Sequence, residues 1–297
     1  MSEAQDERVP IGVRSEPLTR SEELDLRLSS GRLHAQRFGS IEAPLVIAVH
    51  GLSANMKAFD FIGERLGGAA LQVVALDLRG RGLSDTTPPG TYGWYAHARD
   101  VFEAATVLGF ERFSIMGHSM GAAIALQAAA MDAARLERLV LIDACGQPEP
   151  STAPLIAAAV DRLGSVYPSV EAYLERVRSL GTVVPWSDYF EGYLRYELEA
   201  VEGGVRARSN REAALEDAAE PGWAGIHELW RSVTMPALLL RAGRELLPGY
   251  GFIVGAADAT EFARTVPGPS VVEIDANHYG IITADATVAA LREFLAA

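Results

Sequence analysis

Short, largely apolar runs recur along the chain, separated by stretches of helical periodicity. Leu45-Val46-Ile47-Ala48-Val49 is apolar throughout, as a strand buried on both faces must be. Similar runs stand at 73–76, 113–116, 139–142, 237–240 and 271–274, with helical candidates at 56–67, 92–108, 120–134, 258–265 and 284–296. Buried strands alternating with amphipathic helices restrict the chain to an open α/β sheet with helices on both faces. Two further strands precede these runs. Leu24-Asp25-Leu26-Arg27-Leu28 alternates strictly, and residues 33–38 follow across a Ser-Ser-Gly turn, which predicts an antiparallel pair. The expected sheet is therefore eight-stranded and mostly parallel.

The alternation stops between Gly146 and Ser232. Helical patterns there are broken by Pro148, Pro150, Pro168, Pro185 and Pro221, and the segment carries Trp186, Trp223 and Trp230. We read residues 146–232 as a helical cap inserted after the sixth strand of a core formed by 21–145 and 233–297. Residues 1–20 lack periodicity and read as a mobile arm. Exposed cap aromatics would make a homodimer a natural expectation.

Composition narrows the partners. With 26 Lys and Arg against 39 Asp and Glu, the formal net charge is −13, which repels phosphate backbones and anionic lipid surfaces. No apolar run approaches the ~20 residues needed to span a bilayer. One cysteine, Cys145, and an acidic N-terminus without signal-peptide character predict a cytoplasmic location, no nucleic-acid or membrane partner, and a small-molecule substrate.

The sharpest chemical signal is Gly117-His118-Ser119-Met120-Gly121, which follows an apolar strand and opens a helix. That context makes it a nucleophile elbow: a strained turn that needs small neighbours and projects Ser119 at a helix N-terminus. His50-Gly51-Leu52-Ser53 follows the third strand. An oxyanion hole needs two N–H donors, and Met120 and Leu52 are placed to supply them. His50 is read as shaping that loop rather than acting as a base. His278, in the loop after the last strand, is the candidate base.

These motifs, together with Asp77-Leu78-Arg79-Gly80-Arg81-Gly82-Leu83-Ser84 and Asn277-His278, resemble the α/β-hydrolase fold superfamily over nearly the whole chain, and the resemblance implies a mainly architectural role for the 77–84 loop. The resemblance implies a triad in the order Ser, acid, His. It also implies an Asp closing a Gly-x-x-Asp turn after the seventh strand, where this chain reads Gly243-Arg244-Glu245-Leu246. A leucine cannot stabilise an imidazolium. Two carboxylates remain: Glu245, one position early, and Asp143, at the end of the sixth strand, where a minority of the superfamily carries its acid. The missing Asp at 246 favours Asp143, with Glu245 as the alternative. The 24-residue step from Ser119 to Asp143, with Val170-Glu171-Ala172-Tyr173-Leu174 and Val201-Glu202-Gly203-Gly204, is similar more loosely to the (E)-2-(acetamidomethylene)succinate hydrolases. A dicarboxylate substrate would need local arginines; Arg195, Arg208, Arg211 and Arg241 are available, but solvated salt bridges are the expected role of most of them, and the substrate stays open.

No His-Glu-x-x-His, clustered Cys/His or phosphate-binding glycine loop is present, so no metal and no cofactor are expected. The expected activity is hydrolysis of an ester, lactone or activated amide through an acyl-enzyme. Carbon–carbon bond hydrolysis and cofactor-free haloperoxidase chemistry use the same triad, and a non-catalytic small-molecule receptor is the reading from another class.

Overall fold

A computed structural model describes residues 19–220 and 222–296. The expected arm over 1–20 falls outside them except for Thr19 and Arg20. Thr19 is anchored, its N–H donating to the Glu64 carbonyl at 3.0 Å and its hydroxyl to the Gly67 carbonyl.

The core opens with a hairpin of β1 (Ser21–Leu28) and β2 (Gly31–Phe38), followed by β3 (Leu45–Val49), α1 (Asp60–Leu66), β4 (Gln72–Leu76), α2 (Trp94–Val107), β5 (Phe113–His118), α3 (Met120–Asp132) and β6 (Leu136–Ile142). An insertion then carries α4 (Ala153–Asp161), β7 (Val166–Tyr167), α5 (Val170–Ser179), α6 (Asp188–Tyr196), β8 (Leu198–Val201), β9 (Gly204–Ala207), α7 (Arg211–Ala218) and α8 (Gly222–Leu229). The core resumes with β10 (Ala237–Ala242), α9 (Ala256–Thr265), β11 (Ser270–Ile274) and α10 (Asp285–Ala296).

Eight strands form one sheet in the order β1-β2-β4-β3-β5-β6-β10-β11. β1, β2 and β4 pair antiparallel, and the remaining pairs are parallel. Because side chains alternate across a strand, β3 feeds two cores. Ile47 and Val49 pack with Val101 of α2 and Leu126 of α3, while Val46 and Ala48 pack with Ile62 of α1 and Leu291 of α10. Each Val, Ile or Leu side chain so removed from water contributes roughly 1.5–3 kcal/mol. Helix α3 is apolar on almost every side from Met120 to Ala129, and those residues are covered by β5, α2 and α8.

Two features differ from the sequence reading. β11 is the edge strand, and most of its residues are exposed or half-buried, because only β10 flanks it. The insertion is not purely helical: β7, β9 and β8 form a small antiparallel sheet. Its hairpin turns at Glu202-Gly203, between the paired residues Val201 and Gly204, and Gly203 takes the left-handed φ of 87°. A Gly-containing two-residue turn between strand-like runs is a readable signal. The insertion aromatics Trp186, Tyr189, Tyr196 and Trp223 are half-buried, and Phe190, Tyr193 and Trp230 are buried. The exposed aromatic surface behind the homodimer expectation is therefore absent from these side chains. Among the described residues, no helix is long and apolar enough to cross a membrane.

Candidate active site

Ser119 stands between β5 and α3 with φ 57° and ψ −125°, a conformation that costs a non-glycine residue about 1–3 kcal/mol. The surroundings enforce it. A Cβ on Gly117 would lie 2.0 Å from the Gly121 carbonyl oxygen, and one on Gly121 would lie 1.9 Å from the Val49 carbonyl oxygen. Only glycine lets α3 press this closely onto β5 and β3, and that approach aims Ser119 away from the sheet.

His278 lies in the loop after β11, four residues beyond its end. Asn277 pins the loop: its amide donates to the carbonyls of Thr182 (2.7 Å) and Leu246 (3.2 Å), and its Oδ1 accepts the Gly280 N–H at 2.9 Å. The His278 Nδ1 meets Asp143 Oδ2 at 2.7 Å. That contact makes Nδ1 the protonated nitrogen and leaves Nε2 as the basic one. Asp143 follows β6 with a left-handed φ of 49°, which Asp tolerates better than most side chains. Its N–H donates to the Leu240 carbonyl (2.7 Å) and its Oδ1 accepts the Ala242 N–H (2.9 Å), so the carboxylate is locked onto β10. Both side chains are buried.

Glu245 does not join them. Its carboxylate accepts the Gly249 N–H at 2.8 Å and closes the loop after β10. Leu246, at the position where an Asp was expected, lines the cavity instead.

Met120 is the first residue of α3, so its N–H has no intrahelical acceptor. The Leu52 N–H also meets no backbone carbonyl among the described residues. Both residues border the same cavity as Ser119 and His278. The next peptide, Leu52-Ser53, is gripped by Arg81: Arg81 Nε donates to the Leu52 carbonyl at 2.9 Å, and Arg81 Nη2 pairs with Asp217 of α7 at 2.6 Å. Asp217 also meets His97 Nε2 at 3.0 Å and accepts the Gly93 N–H at 2.8 Å. Sequence reasoning treated the 77–84 loop as architectural and missed this grip. The loop's Asp77 is architectural, accepting the N–H groups of Met56 (2.8 Å) and Leu83 (2.9 Å).

His50 shapes the same loop in its neutral form, Nδ1–H donating to the Gly51 carbonyl (2.8 Å) and Nε2 accepting the Leu78 N–H (3.1 Å). Burial pushes its pKa down to about 3 from the ordinary 6.5. The unfolded chain therefore takes up a proton below pH 6.5 that the folded chain refuses. This contribution to stability is full above pH 6.5 and is lost as pH falls toward 3. His50→Gln is expected to be the less stable protein at pH 7, with the gap narrowing by about 2 kcal/mol at pH 5. Urea unfolding of both proteins at the two pH values checks this. His118, inside the elbow, donates from Nε2 to the His278 carbonyl at 3.0 Å, and burial holds its pKa well below 6.5.

The cavity over Ser119 has a volume of about 370 Å³. Its floor comes from the core loops and its walls from the insertion, including Leu155, Phe190, Tyr193 and Trp223. The sequence offered only the aromatic bias of the segment as a hint of these wall residues.

Residues 46–291 match the Alpha/beta hydrolase family. The chain belongs to this family. The N-formylmaleamate deformylase of Pseudomonas putida is 31% identical over 252 residues, 82% of this chain and 84% of that protein. The crystal structure of E-2-(acetamidomethylene)succinate hydrolase superposes with a TM-score of 0.82 at 24% identity, covering 94% of this chain and all of that one. A hypothetical protein of Pseudomonas aeruginosa PAO1 superposes with a TM-score of 0.71 at 29% identity, covering 93% of this chain and 98% of that one. Family membership and the deformylase homologue support a hydrolytic role for this family member. Among its described residues, no three His, Cys, Asp or Glu side chains cluster so as to hold a metal ion.

Proposed function

We propose that the protein is a serine hydrolase whose triad is Ser119, His278 and Asp143, acting on an ester, lactone or activated amide of a small organic molecule. The observation that carries this reading is the 2.7 Å contact between Asp143 and His278 Nδ1, beside the strained Ser119 on one cavity.

Ser119 Oγ attacks the carbonyl carbon as His278 Nε2 takes the hydroxyl proton. Asp143 holds the imidazole in the tautomer that leaves Nε2 free, and stabilises the imidazolium that forms. The N–H groups of Leu52 and Met120 hold the tetrahedral oxyanion, one such donor being worth roughly 10²- to 10³-fold in rate. His278 returns the proton to the leaving alcohol or amine, and the acyl group remains on Ser119. Water then attacks the acyl-enzyme with His278 again as base, releasing the acid. His50, donating to the Gly51 carbonyl, orients the peptide that carries the Leu52 N–H, and the Arg81–Asp217 pair holds the next carbonyl, so little reorganisation is needed as charge develops. The insertion acts as the cap that walls the cavity from bulk water.

Intact-mass measurement after incubation with an alkyl fluorophosphonate tests the nucleophile. A single adduct on the native protein and none on Ser119→Ala is expected. Folded native protein that takes no adduct would overturn the reading.

A further inference from the structure

The cavity carries a charge pattern at odds with the carboxylate compounds named for its relatives. Its wall includes Leu155, Ile156, Phe190, Trp223, Leu246 and Ile253, and no Lys or Arg is among its described lining residues. The one carboxylate there, Glu149, accepts the Phe252 N–H at 2.9 Å. The four arginines available from the sequence are engaged elsewhere. Arg195 pairs with Glu191 and Glu171, and Arg211 with Asp161 and Glu212. Arg241 pairs with Glu273, and Arg208 donates to the Tyr196 carbonyl at 3.3 Å.

One buried guanidinium does border the site. Arg162 lines a small adjoining pocket of about 50 Å³ that shares Phe190 and Tyr193 with the main cavity. It is already neutralised, forming an ion pair with Glu197, whose side chain is 1% exposed. Two further N–H groups go to the Tyr173 hydroxyl and to the Ser53 carbonyl at 3.2 Å. An entering carboxylate that displaced the buried Glu197 would leave it with no other paired cation among the described residues. Breaking such a pair is expensive because it strands a charge out of water. His118 offers no cation either, since burial keeps its imidazole neutral.

We infer that the acyl pocket takes an uncharged, apolar acyl group and rejects acyl groups that end in a carboxylate. This rests on the serine-hydrolase reading and names the substrate class of that site. A carboxylate entering this cavity gives up its hydration and meets no free cation, whereas an alkyl or aryl chain gains from the apolar wall. The protein's net charge of −13 opposes the anion at longer range as well.

The test compares 4-nitrophenyl pentanoate with mono-4-nitrophenyl glutarate, which share a leaving group and an acyl carbon count and differ in a terminal carboxylate. The neutral ester is expected to have the higher kcat/KM by at least about 100-fold. Ile156→Arg, at a half-buried position on the α4 wall, is expected to raise the glutarate-to-pentanoate ratio about 10-fold by supplying the missing cation. Fluorophosphonate labelling of the same preparation separates the two readings. If Ser119 takes the adduct and the glutarate ester is turned over as well as the pentanoate, or neither ester is turned over, the substrate inference falls and the hydrolase reading stands. If Ser119 takes no adduct, the hydrolase reading itself falls.

Discussion

Ser119→Ala is expected to lower kcat by about 10⁵- to 10⁶-fold while leaving the thermal midpoint within a degree or two of the native protein. The activity loss follows from removing the proposed nucleophile; the oxyanion donors and the cavity remain and leave a small residual rate. The stability expectation follows from the backbone. Alanine inherits the positive φ of 57° that α3, β5 and β3 impose, so the strain is neither relieved nor increased. Ser119→Gly separates the two effects. It is equally inactive, yet free of the left-handed penalty, and is expected to be the more stable of the two variants by about 1 kcal/mol in urea unfolding. A Ser119→Ala protein that retained more than about 1% of native activity would mean that another group attacks the substrate.

Asp143→Asn is expected to cost about 10⁴-fold in kcat, and Glu245→Gln no more than about 2-fold. The asparagine keeps the left-handed backbone and can still accept the Ala242 N–H through its oxygen. Its amide nitrogen then faces His278 Nδ1. Two donors cannot share that contact, so the imidazole must carry its proton on Nε2, where the base is needed. Alanine at 143 would be a poorer probe, because it adds the backbone strain of φ 49° to the loss of the carboxylate. Glu245→Gln retains an acceptor for the Gly249 N–H and touches nothing at His278. Steady-state kinetics on both variants decides the assignment, and the reverse ranking would return the acid to Glu245.

The elbow could be read from the chain because its physics is local. Five residues hold a strand end, a strained serine and a helix start, and their small side chains show how closely two elements must pass. The sheet could be read for the same reason: each apolar run states that both faces of its strand are covered. The hairpin of β8 and β9 is hard to read from the chain, although Glu202-Gly203 marks its turn, because the surrounding breakers read as interrupted helix. β11 was read as buried because Val271, Val272 and Ile274 are apolar, and composition says nothing about whether a neighbour lies on the far side.

The acid and the cavity belong to a different order of information. Asp143 and Glu245 each follow a core strand, and the missing Asp at 246 favours Asp143 in the sequence while leaving Glu245 open. The register of β6 beside β10 turns Asp143 toward the imidazole, while the loop after β10 folds Glu245 back onto Gly249. Arg81 likewise reads as one basic residue in an architectural loop until Asp217, 136 positions away, closes on it beneath Leu52. The lack of Lys and Arg among the described residues lining the cavity depends on which arginines find carboxylates outside it. The sequence by itself determined the fold, the position of the candidate nucleophile and the candidate base, because strand burial and a tight turn are properties of contiguous residues. Tertiary structure decided between the two carboxylates that the sequence left open and decided which charged side chains line the cavity, because both depend on pairings between segments far apart in the chain.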